Sequence, residues 1–156
     1  MKKLETNKQI IDDQLIVEFK GHIDEDADFK ELTQLAQSKI TFDFNQVAMI
    51  NSCGIREWIK FLEKVPEKTR VTYKQCPQII IEQINMVHGF FRKGSSIESL
   101  YAPYFCENCE HESKELVTFE QIKGKKAPRI ACPKCGHEFM DFDAIEAQYF
   151  GFVSKL

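Results

Sequence analysis

The sequence has no apolar run approaching the roughly 20 residues that a membrane-spanning helix needs. No apolar core follows the lysines of its opening stretch, MKKLETNKQIIDDQ, so neither a membrane span nor an export signal is expected. It has little surplus of either charge. With 21 basic and 24 acidic residues the formal net charge is -3, which gives no general attraction to nucleic acid or to an anionic membrane. The familiar catalytic signatures are missing as well: there is no Walker loop, no GxSxG, no HExxH and no dinucleotide-binding glycine pattern. Low-complexity stretches are absent, and nothing repeats except a short cysteine motif. The expectation is a cytoplasmic protein, not an enzyme, with no membrane and no nucleic acid among its partners.

What is present is ordinary for a globular chain. Hydrophobic residues make up 43% and charged residues 29% of 156 positions, which suits one or two small domains. The cysteines are the distinctive feature. Without an export signal the chain stays in a reducing compartment, where disulfides are rare. Cys53 and Cys76 stand alone in apolar surroundings, whereas Cys106/Cys109 and Cys132/Cys135 form two CxxC pairs separated by 22 residues.

Two CxxC pairs predict a zinc site. Zinc prefers four soft ligands in a tetrahedron, and a CxxC brings two sulfurs to one ion across a tight turn. In the second knuckle, Cys132-Pro133-Lys134-Cys135-Gly136, proline fixes φ after the first ligand and glycine is free to take a positive φ. The first knuckle, Cys106-Glu107-Asn108-Cys109-Glu110, lacks that glycine. Four thiolates leave no open position for water, so the site is structural, and His111 and His137 are spares. The spacing slightly exceeds the usual range of about 15–20. A longer hairpin between the knuckles accounts for this, with 114–122 as a strand, 123–126 as its turn and 128–131 as the return. From residue 104 to 140 there are six basic and six acidic side chains. A zinc with four thiolates adds about two negative charges, the wrong balance for phosphate binding.

The rest of the chain reads as α/β. Residues 14–23 alternate, with Leu15, Val17 and Phe19 on one side, and 7–12 pair with them through Asp12–Asp13. A helix is expected after the acids at 24–28, with Phe29, Leu32, Leu35 and Ala36 inward. Strand 40–44 and the apolar run 47–50 follow, then a helix from Asn51-Ser52 to about Val65 with Ile55, Trp58, Ile59 and Leu62 inward. Both Asn51 and Ser52 are suitable N-caps, Ser52 being given that role. Strand 69–76 leads to a helix after Pro77 carrying Ile80, Ile84, Val87 and Phe91 inward. A loop over 89–96 and a last strand over 97–105 complete the domain. Near the end, Asp143 with Glu146 makes a capping-box-like pattern before a short aromatic helix.

The segment ITFDFNQVAMINSCGIREWIKFL, residues 40–62, resembles the central stretch of a STAS domain. That family includes anti-sigma-factor antagonists and the cytoplasmic tails of sulfate transporters. Its pattern is a buried strand, an apolar run, then Asp-Ser-Ser/Thr-Gly opening a helix, and here the four positions are Asn51, Ser52, Cys53 and Gly54. The resemblance implies a mixed β-sheet with helices on one face over residues 1–103, completed by helix 143–150, with the zinc ribbon at 104–142 as an insertion. It also implies a protein-interaction module of bacterial regulation whose Asn51–Gly54 surface meets an anti-sigma factor, kinase or phosphatase.

In phosphorylation-switched members the acceptor is the Ser or Thr directly before the glycine. Here that residue is Cys53, which a serine kinase cannot modify, so the expected binding is constitutive. The alternatives are a nucleic-acid-binding zinc ribbon and a thiol redox sensor at Cys53, whose thiolate a helix N-terminus would favour. Against the sensor stands the plainer role of Cys53 as a packing residue. Cys76 reads as core, and His22 and His88 as structural.

Overall fold

The computed structural model describes residues 3–32 and 37–156. It is a mixed α/β fold with a five-stranded and a three-stranded sheet. Strands β1 (Glu5–Ile11), β2 (Gln14–Ile23), β3 (Lys39–Ile50), β4 (Arg70–Lys74) and β5 (Ser96–Ile97) lie side by side in sequence order. The β1–β2 pair is antiparallel, and β2, β3, β4 and β5 run parallel. Parallel neighbours need crossovers. Helix α1 (Ser52–Lys64) connects β3 to β4, and α2 (Gln78–Met86) connects β4 to β5.

Alternation decides which side of β2 is buried. Leu15, Val17, Phe19 and Ile23 lie inward, while Glu18 and Lys20 point to solvent. The two runs 40–44 and 47–50 form one strand. Their link is absorbed by two irregularities in the β2–β3 register, where β3 carries extra residues.

Trp58 of α1 is the centre of the core and is fully buried. Its indole meets the rings of Phe19, Phe42, Phe44 and Tyr73 from the sheet at centroid distances of 5.0–6.1 Å. Phe29 and Phe61 close over it at 5.4 Å. The polar ends of Trp58 and Tyr73 converge on one acceptor, the Phe90 carbonyl, at 3.1 and 2.6 Å, so neither buried donor is left without a partner. The inward face of α1 is Gly54, Trp58, Phe61 and Leu62, with Ile55 and Ile59 only half-buried. In α2 it is Ile80, Ile81 and Ile84; Val87 and Phe91 lie beyond the helix and are half-buried.

The helix expected after the acids is not formed over residues 24–32, which make turns and a short 3-10 segment, Lys30–Leu32. The acids explain this. Asp24 accepts from the Asp26 amide (3.0 Å) and Asp28 from the Lys30 amide (2.9 Å), local bonds that compete with a helix. Phe29 and Leu32 are buried as expected, while Leu35 and Ala36 lie outside the described residues.

The second sheet has the order β7-β6-β8, from β6 (Ser99–Cys106), β7 (His111–Thr118) and β8 (Asp141–Phe142). Strand 114–122 was expected to pair with a return strand before the second knuckle. Instead β7 pairs with β6, and the chain turns into α3 (Phe119–Ile122). The Gln121 side chain reaches back to the Thr118 amide at 2.9 Å and supports that turn. The 22 residues between the knuckles are therefore one strand, a helical turn and an irregular return.

At the end, α4 (Glu146–Tyr149) is shorter than expected and runs into a 3-10 turn, Gly151–Lys155. No capping box forms there. The Asp143 amide donates to the Pro103 carbonyl (2.9 Å), and Glu146 accepts from the Ala127 amide (2.6 Å), tying down the return segment.

Trp58→Ala is expected to lower stability by about 3–5 kcal/mol, the cost of emptying a large aromatic site, as read by urea unfolding. A loss below about 1 kcal/mol would show that the ring cluster is not the core.

Candidate metal centre and the Asn51 turn

Cys106 is the last residue of β6, and His111 is the first of β7, so the first knuckle is the turn of that hairpin. The second knuckle is closed by hydrogen bonds across its base. The Met140 amide donates to the Ile130 carbonyl, and the Cys132 amide to the His137 carbonyl, both at 2.9 Å. Tyr104 Oη donates to the Pro128 carbonyl at 2.6 Å and holds the incoming chain against β6. Arg129 covers the Phe139 ring at 4.9 Å.

Each knuckle needs a left-handed residue after its second cysteine. Gly136 has φ +77, and Glu110, at the corresponding place, has φ +58. A non-glycine residue there carries a strain of order 1 kcal/mol, so the first knuckle adopts the same turn at a cost.

The result is a cluster of four sulfurs all within 4.8 Å of one another. The Cys106–Cys135 and Cys109–Cys132 sulfurs are both 3.6 Å apart, far beyond the roughly 2.05 Å of a disulfide bond, and every cysteine is free. Cys106 and Cys132 are buried, Cys109 is half-buried and Cys135 is exposed. Neither His111 nor His137 belongs to the cluster. The four residues read from the sequence are thus together, and they fit a metal ion.

Hydrogen bonds prepare the sulfurs. Asn108 Nδ2 donates to Cys135 Sγ at 3.4 Å, and the Lys134 amide to Cys132 Sγ at 3.4 Å. The Asn108 amide and the His137 N–H hold the Cys135 thiol down to about 6. Burial and the neighbouring Cys135 and Cys132 sulfurs push Cys109 up to about 12. A bound cation would drive the remaining protons off, so metal affinity must fall as the solution is acidified. Cysteine spacing alone does not reveal Asn108, although an amide inside a CxxC is a ready hydrogen-bond donor to sulfur.

The second candidate region is the turn at the end of β3. Asn51 caps α1: its Oδ1 accepts from the Gly54 amide at 2.9 Å, and its Nδ2 donates to Glu25 Oε2 at 3.0 Å. That bond from Asn51 holds the Glu25 carboxyl below the ordinary carboxylate range. The cap is therefore Asn51, and Ser52, to which that role was given, is the first helical residue and is exposed. An amide can accept from the helix and donate to a carboxylate at once, which fits it better than a hydroxyl to this place. Cys53 is half-buried and Gly54 buried. A Cβ at Gly54 would lie 1.9 Å from the Ile23 carbonyl oxygen, so only glycine lets the helix start against β2.

No protein-family model matches the chain, and no curated protein matches it. Among the described residues no helix is long and apolar enough to cross a membrane.

Gly54→Ala is expected to cost about 3 kcal/mol or more, because the clash is with backbone. Asn51→Ala should cost about 1 kcal/mol, the usual loss of a cap. Denaturant unfolding of both variants checks the ranking, and the reverse order would refute it.

Proposed function

We propose that the chain is a non-enzymatic protein-interaction module of bacterial regulation, resembling the STAS-type anti-sigma-factor antagonists, stabilised by a structural zinc ion. The observation that carries the reading is the Asn51–Gly54 turn. Its backbone is fixed from beneath by Gly54 against Ile23 and from the side by the Asn51–Glu25 bond, while Ser52 faces solvent. A rigid backbone with an exposed side chain suits recognition by a folded partner, because little entropy is lost on docking. The mixed sheet, the helix opening directly from β3 and the Asn-Ser-Cys-Gly sequence support the STAS resemblance together.

Zinc is the ion the donor set suits best. Metal–sulfur bonds of about 2.3 Å in a tetrahedron place the sulfurs about 3.8 Å apart, close to the 3.6 Å of the two nearest pairs. The six basic and six acidic side chains over 104–140 argue for a folding role rather than a phosphate-binding one. The partner is a regulatory kinase, phosphatase or anti-sigma factor in a reducing, cytoplasmic setting. With Cys53 before the glycine, binding is constitutive.

Zinc should co-purify at one ion per chain. Cys132→Ser should lower that content and raise amide exchange over 104–140 more than in the five-stranded sheet, since binding and ribbon folding share one free energy. A metal-free wild type with an equally protected ribbon would sink the zinc assignment.

Cys53→Asp places a charge in the turn. Desolvating it unpaired in an interface is costly, so affinity for a partner captured from native lysate should fall about tenfold or more, or ~1.4 kcal/mol. Zinc content and thermal melting should stay at wild-type values. Unchanged affinity would put the interaction surface elsewhere.

A further inference from the structure

We propose that the four-cysteine cluster is also a site of oxidative modification, at which the Cys135 thiolate is oxidised first by hydrogen peroxide and Cys106 resolves it, releasing the metal. The proposal rests on the metal reading above and concerns how the same site is opened.

The asymmetry of the cluster carries it. Cys106 is 0% and Cys132 3% exposed, Cys109 is half-buried, and Cys135 alone of the four is an exposed residue. Peroxides react with thiolates and select them by access. Metal coordination keeps a sulfur unprotonated without hiding it, so the exposed ligand is the one a small oxidant meets. The Cys106 sulfur lies 3.6 Å from that of Cys135, within resolving distance. Cys109 and Cys132 stand in the same relation at 3.6 Å. Both pairs join one knuckle to the other.

The chemistry balances in two steps. The Cys135 thiolate attacks one peroxide oxygen, an S–O bond forms and the O–O bond breaks, leaving a sulfenic acid and hydroxide. The Cys106 thiolate then attacks the Cys135 sulfur, an S–S bond forms, and the S–O bond breaks to give a second hydroxide. The two sulfurs together lose two electrons to the peroxide, and both hydroxides take protons from the medium to become water. Two ligands remain for the ion, too few to hold it against solvent. The disulfide ties the β6–β7 turn to the second knuckle, so the ribbon stays tethered after the ion leaves and can be reloaded after reduction. Asn108 restrains the first step, because its amide donates to the lone pairs of Cys135 with which the sulfur would attack (3.4 Å).

The other cysteines are poorer targets. Cys76 is fully buried, and Cys53 is half-buried and lies outside the four-sulfur cluster.

The test uses the full chain as purified, with a chromophoric zinc chelator in solution. Excess organomercurial gives the total metal, and hydrogen peroxide gives the oxidant-released metal. Peroxide should release one ion per chain, and peptide mapping without reductant should find the Cys106–Cys135 disulfide before any other. Cys53→Ser should release zinc at the wild-type rate. Asn108→Ala, which keeps all four ligands, should release it several-fold faster, and reductant with added zinc should restore the metal content. Metal that stays bound while Cys53 is oxidised overturns the proposal, as does a first disulfide within one knuckle, Cys132–Cys135. If the mercurial also releases no metal, the metal reading itself has failed.

Discussion

The position of the sulfur cluster relative to the larger sheet depends on the continuity of one strand. At its start β6 is held by the larger sheet: the Cys76 amide donates to the Ser99 carbonyl at 3.2 Å, and the Tyr101 amide to the Cys76 carbonyl at 2.9 Å. At its end the same strand delivers Cys106. Only the length of a strand lies between the two places, so the first ligand is fixed by the sheet rather than by a loop. The buried thiol of Cys76, pushed well up by burial, is part of this junction and behaves as a small apolar group.

The last residues finish what β6 begins. Tyr104, Phe142, Tyr149 and Phe150 form a second aromatic cluster with centroids 5.2–5.7 Å apart. Tyr149 Oη donates to the Tyr101 carbonyl at 2.6 Å, and Asn85 Nδ2 donates to the Tyr149 carbonyl at 3.0 Å. Lys155 caps the exit of α2 by donating to the Ile84 and Asn85 carbonyls, both at 3.1 Å. These bonds make the segment after the second knuckle, β8 included, a bridge between α2 and β6. The hydrophobic core is correspondingly continuous from Leu15 to Phe152.

Much of this was legible in the sequence because it is periodic or stoichiometric. The alternation of 14–23, the apolar spacing of α1 and the two CxxC pairs each have few physical solutions. What escaped has more than one cause, and the first is competition for the oxygens of acidic side chains. The acids at 24–28 look like a helix start, yet Asp24 and Asp28 spend their oxygens on nearby amides. Asp143 and Glu146 look like a capping box, yet Glu146 is taken by Ala127 from a distant segment. Thr118 and Gln121, where the reach-back bond does form, were hidden inside what reads as a strand. The pairing of β7 with β6 was equally hidden, since alternation names a strand's faces but not its neighbour. Phe61 was missed because its neighbours Ile59 and Leu62 already filled the expected face.

The backbone contact beneath Gly54 has a genetic consequence. Every amino acid reachable from a glycine codon by one base change carries a Cβ, and at this place that atom would fall on the Ile23 carbonyl. Position 54 therefore has no tolerable neighbour in codon space. Ser52, whose side chain touches solvent, lies two residues away and has no such restriction. Variation arising in this turn is channelled into its outward chemistry while its shape is held constant, so a lineage can exchange what the turn displays without rebuilding how it is displayed.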